Sequence, residues 1–451
     1  MATDQETHSV AEKLTFTQDM THQPEKIPWD LLVSHLRWIS NDCKCKVTNL
    51  YPDINDPKET RAENIRLFCR LFAEAIKEAS QRERTKYSKS YPCPDPDDVL
   101  ITDEMLRKIE PDVRSWKASA GRWETWVCAD HNRAADHCST VPPSMRKAKA
   151  FFRFHEYNDC HKFDEVNGKG FFNLEVVKTL ILHGEMEPIL RACAHERVGL
   201  ASWQNMAECT CNFETMGWDV LYQEALHVYL CLNVAYCFPE TWDSKAGRSD
   251  QTDYRQTKFY QQMLRESTAP VYSEAVFQYF RHFFGIDPDQ FDDDIPMKPD
   301  EKHGFTEEEL ARRFGQTSLE NPYGLMQINE FLFFENASIQ YQPHFLDIIS
   351  VQEILSNKGH LPGELVLKIM DFADYEPKRM LPVPHDPLHP ANQEKLASFL
   401  ENCWQILVRC DMMAKALDIE ISWETLICYT VLNYWDRHRC CDNLLYSLEL
   451  K

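Results

Sequence analysis

Two ionisable side chains lie one helical turn apart between Trp218 and Cys237, a segment that is otherwise almost entirely apolar. At about 100° per residue, Glu224, His227 and Cys231 share one narrow strip of the predicted helix. A buried carboxylate beside an imidazole can transfer protons, because burial raises the carboxyl pKa and each group stabilises the other's charged form. We predict Glu224 and His227 as a catalytic pair. A hydrogen-bonded pair that serves only the core is the alternative.

A further carboxylate lies inside the apolar stripe of the predicted helix 391–418, where Asp411 falls between Leu400 and Trp404 in angle. A carboxylate that faces a hydrophobic core needs a cation or a hydrogen-bond donor to offset its lost hydration. It could bind the guanidinium or ammonium group of a substrate. It could equally pair with Lys415 or with an arginine from another helix. We predict Asp411 as a substrate-binding residue and keep the structural pair as the alternative.

A proline-rich stretch follows Leu381 and reads Pro-Val-Pro-His385-Asp386-Pro-Leu-His389-Pro. The prolines hold the backbone extended, so the polar side chains project from a constrained loop. Loops that are held rigidly often carry binding residues. We therefore predict His385 and Asp386 as substrate-binding residues. A well-packed connecting loop without a ligand is the alternative.

Motifs for metal and nucleotide chemistry are missing from the sequence. A carboxylate-bridged di-iron site would require a second Glu-x-x-His beside that of Glu224 and His227. The Cys and His residues between 128 and 161 do not have the spacing of a zinc site. The chain has no Walker loop, dinucleotide turn, nucleophile elbow or kinase signature. We predict no cofactor and no bound metal, with a helical metalloenzyme as a second alternative function.

The chain carries a net charge of −22, which disfavours non-specific binding to nucleic acid or to anionic membranes. A local basic patch could still hold a nucleic acid. Two basic stretches are candidates for such a contact: Arg82, Arg84, Lys86 and Lys89, and then Arg146, Lys147 and Lys149. Solvated helix ends are the alternative for each stretch. We expect no DNA partner, and the oligomeric state stays open.

The composition indicates that the candidate site residues are positioned mainly by helices. The 451 residues are 43% hydrophobic and include only 13 glycines, whereas sheet-rich folds use glycine freely at turns. We predict a predominantly α-helical, multi-helix globular protein with little sheet. It would consist of a flexible N-terminal arm (1–25), a helical lobe (26–285), an acidic linker (286–304) and a helical C-terminal lobe (305–451). A polar N-terminus and the lack of a long apolar stretch predict a cytoplasmic protein without a membrane segment.

Hydrophobic periodicity predicts where the individual helices lie. A long helix begins at Asp56-Pro57 and carries apolar residues at helical spacing from Ile65 to Ile76. The other predicted helices are 29–40, 144–157, 174–197, 218–237, 254–266, 270–284, 344–357, 362–374, 391–418 and 422–435. The 17 cysteines lack paired spacing and are expected to be free and mostly buried thiols.

The segment Leu361-Pro-Gly-Glu-Leu-Val-Leu-Lys-Ile-Met370 resembles the opening of an F-box. In that motif an apolar helix docks onto a ubiquitin-ligase adaptor. The resemblance covers ten residues and implies a non-enzymatic interaction or scaffold protein.

A wider block from Leu361 to Trp435 is similar to filamentous-fungal proteins of secondary metabolism. It includes Pro384-His-Asp-Pro387 and Cys403-Trp-Gln-Ile-Leu-Val-Arg-Cys-Asp411. Among such proteins, the chain resembles the arginine-containing cyclodipeptide synthases. The resemblance implies an aminoacyl transferase that takes two aminoacyl-tRNAs, one carrying arginine, and joins the amino acids into a diketopiperazine for alkaloid biosynthesis. The resemblance makes tRNA the expected partner of the basic stretches at 82–89 and 146–149. No catalytic or substrate-binding residue is assigned from it.

Overall fold

The computed structural model describes residues 27–40, 48–53, 56–119, 141, 143–151, 174–204, 207–208, 214–215, 217–268, 328–329, 332, 343–373, 375 and 381–433. The predicted N-terminal arm (1–25), the helix 270–284 and the acidic linker 286–304 lie outside the described residues.

Helices dominate the described chain, which confirms the predicted fold class. The α-helices are α1 (Asp30–Val33), α2 (Lys58–Arg84), α3 (Asp103–Ser119), α4 (174–183), α5 (Glu187–Cys193), α6 (Gly199–Ser202), α7 (Asp219–Tyr236), α8 (Lys258–Thr268), α9 (Phe345–Glu353), α10 (Gly363–Phe372), α11 (Gln393–Ala416) and α12 (Trp423–Asn433). Single 3-10 turns are Pro143–Arg146, Ala148–Phe151, Pro239–Thr241, Ser244–Ala246, Tyr254–Gln256 and Pro390–Asn392, and a π-helical turn, Ile354–Lys358, extends α9.

Two short antiparallel ribbons complete the described secondary structure. Strand β1 (Leu36–Ser40) pairs with β2 (Thr48–Pro52) so that Trp38 lies opposite Leu50. Strand β3 (Ala207–Glu208) pairs with β4 (Glu214–Thr215).

The core is built around α7. Helices α11 and α12 each pack against both α2 and α7, and α8 packs on α7 as well. A helix that is apolar on nearly every side is stable in water only when neighbours cover it all round. Helix α2 contributes a single stripe in which Ile65, Phe68, Phe72 and Ile76 are buried, at the spacing of three to four residues that the sequence predicted.

Five aromatic rings fill the space where α1, α2, α7 and α11 meet: Trp29, Phe68, Phe72, Tyr229 and Trp404. Contacting rings in this aromatic cluster have centroids 5.4 to 6.2 Å apart, and most pairs are tilted or edge-on. Such arrangements place the positive edge of one ring near the negative face of another. The cluster therefore locks the long helices together from the middle of the core.

One hydrophobic core joins helices from both sides of the predicted linker at 286–304. Helices α11 and α12 bury their apolar residues in the same core as α1, α2 and α7, instead of forming a separate C-terminal lobe. A second, small core lies between α9 and α10 and consists of Ile348, Val366 and Met370. The sequence shows a composition change at the linker, but it does not show which helices share a core.

Several predicted helices differ from the structure. Residues 29–40 form the short α1 and then strand β1, because pairing with β2 satisfies the backbone of this segment. The predicted helix 144–157 begins as two 3-10 turns, and residues 152–157 are not described. The predicted helix 174–197 is divided at Gly184. Gly184 has a φ of 70°, and the Glu185 amide donates a hydrogen bond to the Leu180 carbonyl. Together they end α4 in a Schellman motif.

Helix α3 was not predicted from the sequence. Pro111 lies inside it, and an interior proline lowers the helical propensity of a segment. In the structure Lys108 of α3 forms an ion pair of 2.7 Å with Glu185, which follows α4. Among the described helices, none combines the length and the apolar character that crossing a membrane requires.

We expect Phe72→Ala to lower the free energy of unfolding by about 3–5 kcal/mol, because it removes a fully buried ring from the aromatic cluster and leaves a cavity. Chemical denaturation followed by circular dichroism would measure the loss. Tyr429→Ala is the control, since Tyr429 is exposed on α12 and should change the stability by less than about 0.5 kcal/mol. Equal effects of the two substitutions would contradict this account of the core.

Candidate functional site

Helix α7 carries the predicted catalytic pair. His227 is buried and Glu224 is partly exposed, so this face of the helix runs from the interior toward solvent. Cys231, one turn further, is fully buried with its sulfur 4.0 Å from the carbonyl oxygen of Phe259 on α8. Burial raises the pKa of the Cys231 thiol well above its usual value. Cys231 is therefore a neutral packing residue, and any proton transfer on this strip falls to Glu224 and His227.

Asp411 lies on α11 with its carboxylate in the core. The indole Nε1 of Trp423 donates a hydrogen bond of 2.8 Å to Oδ1. Lys415, one turn along the same helix, places Nζ 2.6 Å from Oδ2 as an ion pair, although the contact lacks hydrogen-bond geometry. The pairing with Lys415 is the alternative that the sequence left open. The Lys415 side chain is 44% exposed, so the ion pair reaches from the core to the surface.

Asp386 lies at the centre of a second buried network, which ties the proline-rich loop to the segment after α7. Arg248 Nη1 donates to Asp386 Oδ2 at 2.6 Å, and the Tyr254 hydroxyl donates to Oδ1 at 2.8 Å. The same hydroxyl accepts a bond from the amide of Leu388. Both oxygens of the Asp386 carboxylate are thus bonded to protein groups, as expected for the packed-loop alternative.

Asp253 extends the network by holding two arginines. Arg248 donates from Nε at 2.8 Å and from Nη2 at 2.5 Å to its Oδ2. Arg255 donates from Nε to Oδ1 at 3.0 Å and from Nη2 to Oδ2 at 2.9 Å. Burial disfavours both guanidinium charges, but Asp253 and Asp386 outweigh this cost and raise the pKa of Arg248 and of Arg255. Two cations and two anions offset each other in this Arg–Asp network.

His385 is buried in a left-handed backbone conformation with φ of 58°, which is uncommon for a residue other than glycine. Its carbonyl oxygen accepts a bond of 3.3 Å from Arg255. Asn392 closes the loop by donating to the carbonyls of Val383 and Asp386 and accepting from the Val383 amide. Neighbouring contacts thus hold the loop in its strained shape.

The two basic stretches are largely engaged with protein groups. Arg84 donates to the carbonyls of Tyr87, Ser88 and Lys89, which closes the turn after α2, and Lys86 pairs with Glu83 at 2.5 Å. In the second stretch, Arg146 pairs with Asp103, while Lys147 and Lys149 both bind Asp97 at 2.9 Å. These two lysines lower the pKa of Asp97 to about 2. Arg82 lies in the last turn of α2, and Lys89 is exposed beyond it.

The predicted sites do not converge on a metal. Within the part of the chain that the structure describes, no group of three or more His, Cys, Asp or Glu side chains is arranged to hold an ion. Asp386 and Asp411 belong to separate networks with different partners. The buried charges that the sequence indicated are therefore present, but the structure places them in separate networks and not in one shared site.

A family model described as "Gramillins biosynthetic cluster protein GRA5" matches residues 30–438. The chain belongs to this family. It is a family of fungal biosynthetic-cluster proteins, which supports the predicted link to secondary metabolism. Its description names neither a cyclodipeptide synthase nor an F-box protein. No curated protein and no solved structure matches the chain.

The partners of the buried charges were not predicted from the sequence. Arg248 and Asp253 precede the predicted helix 254–266, and Arg255 lies in its first turn, so nothing local indicated that they form a network with Asp386. Arg409 of α11 was not predicted either; it donates to Glu83 of α2 at 3.1 Å and to the Ile181 carbonyl at the end of α4. The sequence feature that could have indicated this contact is Arg409 itself, because a charged residue on an apolar helix face beside Asp411 needs a buried partner.

We expect Arg248→Met to lower the free energy of unfolding by about 3–5 kcal/mol, because it leaves Asp386 buried without its cation. Urea denaturation would measure the loss. Glu420→Gln is the control, as it removes an exposed ion pair with Lys77 and should cost no more than about 0.5 kcal/mol. A fully stable Arg248→Met protein would show that Asp386 does not depend on this partner and would favour a ligand-binding role.

Proposed function

We propose that this chain is an enzyme of fungal secondary metabolism, a tRNA-dependent cyclodipeptide synthase that joins arginine to a second amino acid. The observation that carries the proposal is the placement of Glu224 and His227 on the central helix α7, one turn apart, with the imidazole buried. Membership of a biosynthetic-cluster family supports a role in making a metabolite. Since the reaction uses aminoacyl-tRNA, the chain would act in the cytoplasm.

The reaction needs a general base but no ATP or other nucleotide cofactor. The amine of one aminoacyl-tRNA attacks the ester carbonyl of the other, forming an amide bond and releasing one tRNA. The free amine of the resulting dipeptidyl-tRNA then attacks its own ester, which closes the diketopiperazine ring and releases the second tRNA. His227 would take the proton from each attacking amine, and the Glu224 carboxylate would stabilise the imidazolium. Both substrates arrive as activated esters, so the missing phosphate-binding loop is consistent with this reaction.

Of Asp411 and Asp386, we propose Asp411 as the residue that binds the arginine side chain of the substrate. A guanidinium binds a carboxylate through two parallel hydrogen bonds, and Asp411 Oδ2 has an ion contact without such a bond. Its partner Lys415 is half exposed and can move into solvent, whereas Asp386 is held by Arg248 and Tyr254 in the Arg–Asp network. The basic stretches at 82–89 and 146–149 are the proposed tRNA contacts, in competition with Asp97 and Asp103.

Expression of the full chain in a heterologous host, with mass spectrometry for cyclic dipeptides that contain arginine, tests the activity directly. Glu224→Gln and His227→Asn should each lower product formation by about 100- to 10,000-fold, because each removes part of the acid–base pair. Gln223→Ala is the matched control, as this exposed residue lies on the same helix outside the strip. Absence of any new cyclic dipeptide from soluble, folded wild-type protein would overturn the proposal.

Asp411→Asn addresses the arginine site separately. If Asp411 binds the substrate guanidinium, this variant should lose arginine-containing product while its thermal unfolding stays close to that of the wild type. If the variant makes the normal product, Asp411 acts only through Trp423 and Lys415.

A second candidate function is favoured by the surface of helices α9 and α10. We propose that this helical hairpin binds an adaptor subunit of a ubiquitin ligase, as an F-box does. Its core is small, yet its two helices expose many large apolar side chains: Phe345, Leu346, Ile349, Ile354, Leu365, Leu367, Ile369 and Phe372. Leu365, Ile369 and Phe372 follow the spacing i, i+4, i+7, which is typical of a helix that docks into an apolar groove.

Capture of interacting proteins from a fungal lysate with the full chain as bait tests this second function. Ubiquitin-ligase adaptor subunits should be recovered with the wild type and lost with Leu365→Asp, which places a charge in the contact. Glu364→Gln is the control, because Glu364 is an exposed residue of the same helix outside the apolar spacing. Recovery that does not change with Leu365→Asp, or no adaptor at all, would exclude the role.

A further inference from the structure

A buried arginine near the start of α2 has no anionic partner within the described chain. Arg61, the fourth residue of the helix, is only 4% exposed. Its Nη1 donates a hydrogen bond of 2.6 Å to the carbonyl oxygen of Asp53, which follows β2. Its Nε is buried as well and has no acceptor among the protein groups. A guanidinium keeps its positive charge in proteins, so a full cation is buried here against one neutral carbonyl.

The two carboxylates beside Arg61 are engaged by other side chains. Asp53 forms an ion pair with Arg37 of β1. Asp56 is hydrogen-bonded through Oδ2 to Nδ1 of His35 at 2.8 Å. The Asp56 amide donates to the same Asp53 carbonyl that receives the bond from Arg61, so both carboxylates lie near the guanidinium. The local acids are thus close to Arg61 but pair with other groups.

Arg61 differs in this respect from the other arginines that are largely buried in the described chain. Arg248 and Arg255 both pair with Asp253, and Arg409 pairs with Glu83. A buried ion is tolerated when an opposite charge offsets its lost hydration, and a cation without one is strongly unfavourable. The missing partner of Arg61 therefore indicates an anion that comes from outside the chain.

The first turn of α2 adds hydrogen-bond donors on the side where Arg61 lies. Side chains on a helix lean toward its N-terminus, and the bond to the Asp53 carbonyl shows that Arg61 does so. Pro57, the N-cap residue, gives no side-chain hydrogen bond to the first amides of this 27-residue helix. These amides have no acceptor inside the helix, and together with the helix dipole they favour an anion. Residues 57–60 are exposed, so solvent reaches this end of α2.

We propose that Arg61 and the N-terminal turn of α2 form a binding site for a small monocarboxylate. Because Nη1 is bound to Asp53, the edge formed by Nε and Nη2 remains for the two parallel hydrogen bonds that a carboxylate makes with arginine. A singly charged ligand fits better than a phosphate dianion, since Asp53 and Asp56 add negative charge nearby. The ligand supplies the counter-ion for the buried guanidinium.

This carboxylate site is separate from the groups proposed to bind the substrate arginine and tRNA. Glu83 bonds to Arg409, two residues before Asp411, and it belongs to the basic end of α2. At 1.5 Å per residue, Glu83 lies about 33 Å along the helix from Arg61. Binding at the carboxylate site can therefore be tested without reference to the proposed synthase activity.

Thermal unfolding of the full chain in increasing sodium acetate, with the ionic strength held constant by sodium chloride, tests the proposal. We expect a saturable rise in Tm on the order of 3 °C, because a ligand that binds only the folded state stabilises it. Saturation-transfer NMR should show contact between the acetate methyl group and the protein. A Tm that depends on ionic strength alone, or saturable binding of inorganic phosphate without binding of acetate, would overturn the proposal.

Variants of Arg61 test whether acetate binds at this residue. Arg61→Met should abolish the acetate-dependent rise, and its Tm without acetate should equal or exceed that of the wild type, because a buried cation without an anion is removed. Arg61→Lys should weaken acetate binding by about tenfold or more, since an ammonium group lacks two parallel donors. Arg66→Met is the matched control. Arg66 is an exposed arginine of the same helix, and its loss should leave the acetate effect unchanged.

Two results with these variants would count against the site. An acetate effect that persists in Arg61→Met would show that acetate binds elsewhere. If Arg61→Met does not fold, the comparison of Arg61→Lys with the wild type decides, and an unchanged acetate affinity would assign Arg61 to its bond with the Asp53 carbonyl alone.

Discussion

The need to bury α7 on all sides is the constraint on which the rest of the structure depends. This helix exposes almost no polar surface, so leaving any face in water would forfeit the hydrophobic free energy that holds the fold together. Helices α8, α11 and α12 pack on α7, and α2 reaches it through the ring of Phe72 against Tyr229; these helices come from distant parts of the chain. The shared core and the aromatic cluster around Tyr229 are consequences of that single requirement.

Covering α7 so completely also brings charged groups into a region of low polarity. There each charge needs a partner, since an unpaired buried ion costs several kcal/mol. Among the described residues, the arrangements that meet this need include Arg409 with Glu83, the Arg–Asp network around Asp386, Asp411 with Trp423 and Lys415, and Lys178 with Glu175 on α4. The Arg–Asp network is closed among buried or nearly buried side chains. Glu83 also pairs with the exposed Lys86, but Arg409 keeps a further bond to the Ile181 carbonyl. The third reaches solvent through Lys415, which is why it is the arrangement best suited to exchange a protein cation for a ligand.

The hairpin of α9 and α10 lies apart from α7, with a separate small core and exposed apolar residues. The interaction proposed for this hairpin would therefore involve a surface outside the main core, while the central helices carry the groups proposed for chemistry.

Local pattern was enough to predict the features that depend on neighbours in sequence. The stripe from Ile65 to Ile76, the apolar α7 and the pairing of Asp411 with Lys415 one turn away all follow from helical geometry, which repeats every 3.6 residues. Tertiary structure alone decided that Asp386 meets Arg248, that Arg409 meets Glu83, and that residues 36–40 form a strand. In the two ion pairs the partner is remote in sequence, so packing between distant segments, not local backbone preference, brings the charges together. Strand β1 forms because β2 supplies the partners for its backbone hydrogen bonds.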